Sequence, residues 1–215
     1  MKKLCLFDLD GTIIEPHTAI TKGVQYALAS FGIEVEDRNQ LNHFIGPPIR
    51  DSFRESYNFT EKNDLDALAD KYFEYFTMQG IYENFLYPGA EEMLQSLRDA
   101  GFMLVIATSK LTDNSVKIAE YLKFEHYFDL IVGCNADGSR SIKKDIIEFI
   151  LNEVKGEYLP VMIGDRKYDL IGAREAKIKG IGVTWGYGSR EELEAEKPDL
   201  IVDTMDELVR VLVAN

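Results

Sequence analysis

Short apolar runs, bounded by polar or glycine positions, recur along most of the chain. They predict buried strands at Leu4–Phe7, Phe102–Ala107, Leu130–Val132, Val161–Ile163, Ile181–Val183 and Leu200–Val202. From Phe102 onward, the intervals between runs leave room for a helix, and Ile146, Ile147 and Ile150 recur at helical spacing within one interval. Strands that are apolar throughout and alternate with helices are typical of a parallel sheet covered on both faces. The pattern therefore predicts an α/β fold with right-handed crossovers.

The segment from about residue 16 to residue 84 lacks such runs. Its apolar positions form two helical stripes, the first made of Ile20, Val24, Leu28 and Phe31 and the second of Leu65, Leu68, Tyr72, Phe73 and Phe76. The alternation of strands and helices resumes after this segment. We therefore predict a Rossmann-like core with a parallel sheet, made of residues 1–15 and 85–215, and an inserted α-helical cap domain made of residues 16–84.

Composition narrows the class of partner. The 215 residues include 24 Lys and Arg against 37 Asp and Glu, which gives a net charge of −13. Such a surface repels nucleic acid polymers and anionic lipid, so neither is expected as a partner. The apolar runs are too short for a signal peptide or a membrane span, and we expect a cytoplasmic protein that is a monomer or a homodimer. A phosphate-bearing ligand would need local positive charge from a metal ion, a lysine or helix N-termini.

Polar residues follow three of the predicted strands at the point where each strand ends. They are Asp8, Asp10, Gly11 and Thr12 after the first run, Thr108, Ser109 and Lys110 after the second, and Asp165 and Asp169 after the Val161–Ile163 run. Ligands of open α/β sheets bind at the carboxyl ends of the strands. We therefore expect these residues to converge at one edge of the sheet.

The carboxylates in this set predict a divalent cation. Carboxylates brought close together raise one another's pKa unless a cation lies between them. Oxygen ligation with few carboxylates suits Mg²⁺, which also shares the phosphate oxygens of a substrate. Asp8 and Asp10 are two positions apart, so in an extended strand they point to the same side, and a turn at Gly11 would let backbone N–H groups face a phosphate. A carboxylate in such a site can serve as the nucleophile toward phosphorus.

The sequence Asp8-Leu9-Asp10-Gly11-Thr12 resembles the first signature of the haloacid dehalogenase-like hydrolase superfamily. Later residues resemble its remaining signatures in the same order, namely Thr108 after a strand, a lysine at 143 or 144, and Gly164-Asp165 followed by Asp169. The resemblance covers nearly the whole chain, cap included, and is closest to the phosphoglycolate-phosphatase-like branch. It implies hydrolysis of a small phosphorylated metabolite with Mg²⁺ as the cofactor.

The resemblance implies roles for two aspartates and a lysine. Asp8 would attack phosphorus, forming an aspartyl-phosphate, and would also bind Mg²⁺. Asp10 would donate a proton to the leaving oxygen and then accept one from the hydrolytic water, and its backbone carbonyl would contact the metal. The lysine would neutralise the nucleophile and the phosphate. Relatives place this lysine at the position of Lys143, in a Ser-x-Lys stretch, and Lys144 stays the alternative.

The other implied roles concern binding of the phosphate and of the metal. Thr108 would donate a hydrogen bond to a phosphoryl oxygen, together with the backbone N–H of Ser109. Asp165 would bind the metal directly, and Asp169 would hold a metal-bound water or orient the other ligands. In the cap, a rigid stretch with two prolines and a glycine ends at Arg50, and the resemblance makes it a substrate-selecting loop with Arg50 as an anion contact.

Other interpretations stay open at this point. Asp-Gly is a common turn signal, Thr108 alone would be an ordinary cap for the helix that follows, and the prolines also suit a stiff connection between helices. The alternative functions are a pyrophosphatase, a phosphomutase that uses the same aspartate, a signalling receiver phosphorylated on aspartate, and a non-catalytic binding protein. Fold and motifs do not choose among phosphoglycolate, sugar phosphates and nucleoside 5′-monophosphates, because substrate selection belongs to the cap.

Overall fold

The computed structural model describes residues 2–135 and 139–214. The chain divides into two compact units, one formed by Met1–Glu15 and Leu86–Asn215 and the other by Pro16–Phe85. We refer to them as the sheet unit and the helical unit, and we describe each by itself. The helical unit ends at Phe85, one residue later than the predicted end of the cap at residue 84.

A parallel sheet forms the centre of the sheet unit. In chain order the strands are β1 (Lys2–Phe7), β2 (Ile14–Glu15), β3 (Phe85–Leu86), β4 (Met103–Leu111), β5 (Leu130–Cys134), β6 (Tyr158–Gly164), β7 (Lys179–Val183) and β8 (Leu200–Val202). β2 and β3 form a separate two-stranded sheet, and the other six lie in the order β5-β4-β1-β6-β7-β8 with every neighbouring pair parallel. The expected α/β fold is confirmed. The central strand β1 lies between β4 and β6, so the loops that follow these three strands share one edge.

Helices make up most of the remaining structure. In chain order they are α1 (His17–Ala29), α2 (Ile49–Tyr57), α3 (Lys62–Met78), α4 (Ala90–Asp99), α5 (Thr112–Leu122), α6 (Lys143–Glu153), α7 (Lys167–Glu175), α8 (Arg190–Ala195) and α9 (Met205–Ala214), with short 3₁₀-helices at Arg38–Phe44, Gly80–Glu83 and Glu125–Tyr127. The helices α1, α2 and α3 belong to the helical unit, and the later α-helices belong to the sheet unit. Within residues 2–135 and 139–214, no helix combines the length and the apolar character needed to cross a membrane.

The apolar core explains why β1 is hydrophobic from Leu4 to Phe7. Its residues Leu4 and Leu6 are fully buried on one face, where they pack against isoleucines of α6. Cys5 and Phe7, on the opposite face, are also fully buried. A buried leucine or phenylalanine side chain stabilises the fold by about 1.5–3 kcal/mol relative to exposure. Because both faces are covered, the strand carries no alternating polar positions between Leu4 and Phe7.

The second predicted strand was too short. The observed strand β4 continues to Leu111, so Thr108 and Lys110 lie within the strand and not after it. Pairing with β5 is irregular between Ala107 and Leu111. The apolar pattern ended early because the side chains become polar there, whereas a strand needs only backbone pairing. Helix α5 has Leu111 at its N-cap, which excludes Thr108 as the cap of that helix.

The helical unit contains both expected stripes and one unexpected helix. The stripes bury Ile20, Val24, Leu28, Leu65, Leu68, Tyr72 and Phe76. Phe31 lies beyond the end of α1 and is 37% exposed, so its assignment to the first stripe was wrong. The sequence missed α2 because that helix is mostly polar and buries only Ser52 and Phe53.

Candidate active site

Asp8 lies at the carboxyl end of the central strand. Its backbone N–H donates to the carbonyl of Ile163 in β6 at 2.9 Å, which extends the sheet pairing by one residue. The residue is 3% exposed, so its carboxylate is fixed inside the protein and not on a mobile surface. Of the neighbouring strands, β4 contains Thr108 and Ser109, and β6 is followed by Asp165 and Asp169.

Gly11 shapes the turn after Asp8. Its φ is +84°, a left-handed conformation that favours glycine. Its own backbone N–H donates to the carbonyl of Ile14 at 2.9 Å, and the contact of other N–H groups of this turn with a phosphate stays a prediction. A Cβ at this position would lie 2.3 Å from Oδ2 of Asp165, and glycine therefore allows the turn to pack directly on that carboxylate.

Three carboxylates and one lysine form a buried cluster. Oxygen atoms of Asp8, Asp165 and Asp169 all lie within 4.8 Å of one another. The Nζ atom of Lys143 lies 2.9 Å from Oδ1 of Asp8 and 2.8 Å from Oδ1 of Asp169. It also donates to the carbonyl of Ala107 at 2.9 Å. The ammonium group therefore contacts the residue that follows β1, a carbonyl of β4 and a side chain of α7. The four charged residues are each at most 5% exposed.

Burial and mutual repulsion set the protonation of this cluster. Burial, helped by the charges of Asp169 and Asp8, raises the pKa of Asp165 to about 8. Burial also raises the pKa of Asp169 to about 6, against the opposing effect of Lys143. For Lys143, burial alone would lower the pKa, but Asp169 and Asp8 outweigh it and hold the pKa above its ordinary value. The lysine is therefore charged, and its single ammonium group is shared between the carboxyl groups of Asp8 and Asp169.

The cluster fits a divalent cation. The Oδ1 atoms of Asp8 and Asp169 are buried and, apart from their ion pairs with Lys143, accept no hydrogen bond within residues 2–135 and 139–214. With Asp10 and Asp165 included, the carboxylates of the site outnumber its buried lysines by two, which a dication would balance. An all-oxygen donor set of this kind suits a hard cation such as Mg²⁺.

A loop after β7 fixes Asp165. Its Oδ1 accepts a hydrogen bond from the hydroxyl of Thr12 at 3.1 Å, and its Oδ2 accepts one from the backbone N–H of Tyr187 at 2.8 Å. A Cβ on Gly186 would lie 2.3 Å from Oδ2, so this glycine permits the close approach. Sequence reasoning assigned no site residue to this loop. The available signal was a glycine-rich stretch, with Gly186 and Gly188, that follows the predicted Ile181–Val183 strand by a few residues.

Asp10 pairs with a different lysine. Its Oδ2 lies 3.0 Å from Nζ of Lys110, and the two side chains are 11% and 6% exposed. Burial raises the pKa of Asp10, and Lys110 opposes that rise. Sequence reasoning assigned Lys110 no role. Lys110 lies two residues after Thr108, and side chains two residues apart in a strand point to the same side. This spacing could have indicated Lys110 as a further residue of the site.

Thr108 and Ser109 lie on β4, the strand next to β1. Thr108 is 1% exposed, and its Oγ1 accepts the backbone N–H of Lys110 at 3.2 Å. The hydroxyl proton of Thr108 is therefore available to donate to another group. Ser109 is partly buried. Their contacts with a phosphoryl group stay predictions.

Two other candidate residues lie outside the cluster. The Nζ atom of Lys144 lies 3.7 Å from Oε1 of Glu148 on a side chain that is 38% exposed, which contrasts with the 4% of Lys143. Arg50 belongs to the helical unit, where its Nε donates to Oδ1 of Asp66 at 3.0 Å. The predicted anion contact of Arg50 stays a prediction.

A parallel α/β sheet with carboxylates and a lysine at the carboxyl ends of its central strands fits an enzyme that uses a metal ion and acts on phosphate groups. The family model for haloacid dehalogenase-like hydrolases matches residues 5–183, and the chain belongs to that family. The resemblance inferred from the motifs is thereby confirmed.

Known relatives agree with the family and differ in activity. A 5′-nucleotidase from Pseudomonas aeruginosa is 40% identical over 90% of this chain and 87% of its own length. Tyrosine-protein kinase PtkA from Mycobacterium tuberculosis is 31% identical over 98% of this chain and 72% of its own length. The crystal structure of a predicted phosphatase from Clostridium acetobutylicum has 44% identity and a TM-score of 0.95, with 100% of both chains covered. The family, the 5′-nucleotidase and the phosphatase structure make the chain a hydrolase that acts on phosphate esters.

Proposed function

We propose that the chain is a Mg²⁺-dependent phosphatase that hydrolyses a small phosphate monoester through an aspartyl-phosphate on Asp8. One observation carries the proposal, namely the buried Asp8 carboxylate that lies 2.9 Å from Nζ of Lys143 and within the cluster formed with Asp165 and Asp169. A phosphate group that enters this position meets a fixed ammonium group and a cation site beside a carboxylate oxygen. The negative surface of the protein makes this local positive charge necessary.

Hydrogen bonds distinguish Asp8 from the other two carboxylates. Both oxygens of Asp165 accept hydrogen bonds, and Oδ2 of Asp169 accepts the backbone N–H of Arg166 at 3.1 Å. Within residues 2–135 and 139–214, the polar contact of the Asp8 carboxylate is its ion pair with Lys143. Asp165 and Asp169 are therefore held as ligands, whereas Asp8 keeps lone pairs for bond formation.

The residues of the site divide the reaction into two steps. In the first step, a carboxylate oxygen of Asp8 bonds to phosphorus while the bond to the leaving oxygen breaks, and Asp10 gives its proton to that oxygen. In the second step, Asp10 takes a proton from a water whose oxygen bonds to phosphorus, and the bond between phosphorus and Asp8 breaks to release inorganic phosphate. Burial raises the pKa of Asp10, which favours the protonated form that the first step requires.

The remaining groups would stabilise negative charge and orient the phosphoryl group during both steps. Mg²⁺, held by Asp8, Asp165, Asp169 and the backbone carbonyl of Asp10, would supply positive charge to the phosphoryl oxygens. Thr108 and the backbone N–H of Ser109 would donate hydrogen bonds to those oxygens. Lys143 would balance the negative charge that collects around Asp8, and its ion pairs already hold its ammonium group beside that carboxylate.

The helical unit is the proposed cap that selects the substrate. The stretch before α2 contains Gly46 at φ +109° and two prolines, so its backbone is restricted. The ion pair between Arg50 and Asp66 is 40% and 42% exposed, and such pairs contribute only about 0–1 kcal/mol. Arg50 can therefore exchange Asp66 for an anionic group of a substrate at little cost.

Nucleoside 5′-monophosphates are the proposed first substrate class, because the 40% identical relative is a 5′-nucleotidase. Phosphoglycolate and sugar phosphates have the same reacting group and belong in the same comparison. The relative that is a tyrosine-protein kinase adds phosphotyrosine to the set of compounds to be compared.

Phosphate release from a panel of compounds tests the proposal. The panel contains nucleoside 5′-monophosphates, phosphoglycolate, sugar phosphates, phosphotyrosine and pyrophosphate, each assayed with Mg²⁺, with a chelator and with Asp8→Asn protein. We expect release that requires Mg²⁺ and disappears in Asp8→Asn, while Asp113→Asn, a change at an exposed aspartate of α5, keeps full activity.

Other outcomes of the panel would replace the proposal. Isomerisation of a sugar phosphate without net phosphate release would indicate a phosphomutase, and release from pyrophosphate alone would indicate a pyrophosphatase. No release from any compound would favour a binding protein.

A further inference from the structure

Lys110 has an unusual position for a residue to which the motifs give no role. Its side chain is 6% exposed, and its ammonium group lies 3.0 Å from Oδ2 of Asp10. A buried lysine is costly to desolvate, and a fold keeps one only where a partner offsets that cost. The carboxylate that pairs with Lys110 is that of Asp10, the residue assigned to proton transfer.

The position of Asp10 explains why it needs such a partner. Asp8 and Asp10 both follow β1, which ends at Phe7, and both residues are buried, at 3% and 8% exposed. A dication in the cluster would attract the carboxylate of Asp10 as well as that of Asp8. Oδ1 of Asp10 is buried and accepts no hydrogen bond within residues 2–135 and 139–214. The ion pair with Lys110 is therefore the contact that fixes this carboxyl group away from the cluster.

We propose that Lys110 is a positioning residue that holds the carboxyl group of Asp10 on the leaving-group side of the site and out of the metal cluster. The inference rests on the proposed function, in which Asp10 transfers the proton. β4 supplies the rigidity, because the backbone N–H of Lys110 donates to Oγ1 of Thr108 and both residues lie in the strand adjacent to β1. Lys110 acts through Asp10 and forms no bond to the reacting atoms.

Leaving groups of different basicity separate this role from others. Ethyl phosphate releases a strongly basic alkoxide that needs a proton, whereas 4-nitrophenyl phosphate releases a weakly basic phenolate that needs little help. The phosphate is the only charged group in each ester. A lysine that merely attracts substrate anions would therefore affect the two esters equally. A lysine that places the proton donor affects the ethyl ester far more.

The experiment compares Lys110→Met, Lys110→Arg and Lys144→Met on the two esters. We expect Lys110→Met to lower kcat/KM about 10²-fold for ethyl phosphate and less than about threefold for 4-nitrophenyl phosphate. Lys110→Arg should restore much of the loss, because it keeps a cation next to Asp10. Lys144→Met, at an exposed position outside the site, should match the unmodified protein on both esters. Circular dichroism and the melting temperature of each variant show whether it is folded.

A double-substitution cycle completes the test. In an Asp10→Asn background, Lys110→Met should change kcat/KM for ethyl phosphate by less than about twofold, because the group on which Lys110 acts is already altered. Equal losses on both esters, or additive losses in the cycle, would overturn the inference while leaving the proposed phosphatase intact. If the unmodified protein hydrolyses none of the esters, the proposed function fails and the role of Lys110 fails with it.

Discussion

The candidate site residues of the two units differ in how deeply their ion pairs are buried. In the sheet unit, Lys143 and its partners are at most 5% exposed, and the pair of Lys110 with Asp10 is nearly as buried. In the helical unit, Arg50 pairs with an aspartate at the surface, where both side chains are at least 40% exposed. Buried ions cost several kcal/mol each to desolvate, whereas exposed pairs contribute about 0–1 kcal/mol. The buried ion pairs of Lys143 and Lys110 are costly to form, which indicates a role in the reaction. The exposed ion pair of Arg50 is easily exchanged, which suits a role in substrate selection.

The largest contrast is expected between two adjacent lysines. Lys143→Met should lower kcat about 10²- to 10³-fold, because it removes the ammonium group beside Asp8, the proposed nucleophile. Lys144→Met should stay within about twofold of the unmodified protein, since its side chain is 38% exposed and pairs with Glu148. Steady-state kinetics on the preferred substrate measures both. Equal activity of the two variants would mean that the buried position of Lys143 in α6 gives it no greater role in the reaction than the exposed Lys144.

Metal binding should stabilise the sheet unit strongly. Three buried carboxylates with a single lysine between them repel one another, so saturating Mg²⁺ should raise the melting temperature by about 5–10 °C. Asp165→Asn removes one ligand and should lose most of this increase, whereas the exposed Asp113→Asn should keep it. Thermal unfolding with Mg²⁺ and with chelator measures the effect. An increase of the same size in Asp165→Asn would place the cation elsewhere.

The stability of the metal-free protein should depend on pH in a direction fixed by Asp165. Its pKa is about 8 in the folded state and about 3.9 in an unfolded chain, so the folded state binds more protons between these values. This contribution to stability is therefore greatest at low pH and is lost as the pH rises through 8. With chelator, the melting temperature should be lower at pH 8 than at pH 6, and the gain from Mg²⁺ should be larger at pH 8. A gain independent of pH would contradict this account.

The smallest effect is expected in the helical unit. Arg50→Ala should lower kcat/KM for the preferred substrate about three- to tenfold and leave hydrolysis of 4-nitrophenyl phosphate within about twofold. Arg54→Ala is the matched control, since Arg54 lies on the same helix and pairs at the surface with Asp51 at 2.6 Å. Kinetics on both substrates separates the alternatives. A uniform loss on both would mean that Arg50 serves the chemistry and does not select the substrate.

The sheet was predictable from the sequence, while parts of the helical unit were not. A strand buried on both faces leaves a continuous apolar run, and each of the predicted runs lies within an observed strand or overlaps one. The helix α2 buries few side chains and so leaves almost no periodic signal. β4 continues past its apolar run because backbone pairing tolerates the polar Thr108 and Lys110.

Site residues at strand ends were predictable as a group, but their partners were not. The sequence grouped Asp8, Asp165 and Asp169 because loops after neighbouring parallel strands meet at one edge. It could not assign Tyr187 to Asp165, because that contact uses a backbone N–H, which every residue type except proline possesses. It predicted that a turn at Gly11 would let backbone N–H groups face a phosphate, and it could not predict that the N–H of Gly11 itself donates to the carbonyl of Ile14, because that hydrogen bond depends on how the turn closes.

The central claim is that the phosphoryl group passes through Asp8, and mass spectrometry of the quenched enzyme tests it most directly. Protein mixed with Mg²⁺ and its best substrate is stopped in acid during turnover, digested and analysed for the peptide that contains Asp8. The account predicts a phosphoryl group on that peptide in the unmodified protein and none in Asp8→Asn. Rapid phosphate release with no phosphorylated peptide, and with release preserved in Asp8→Asn, would contradict it.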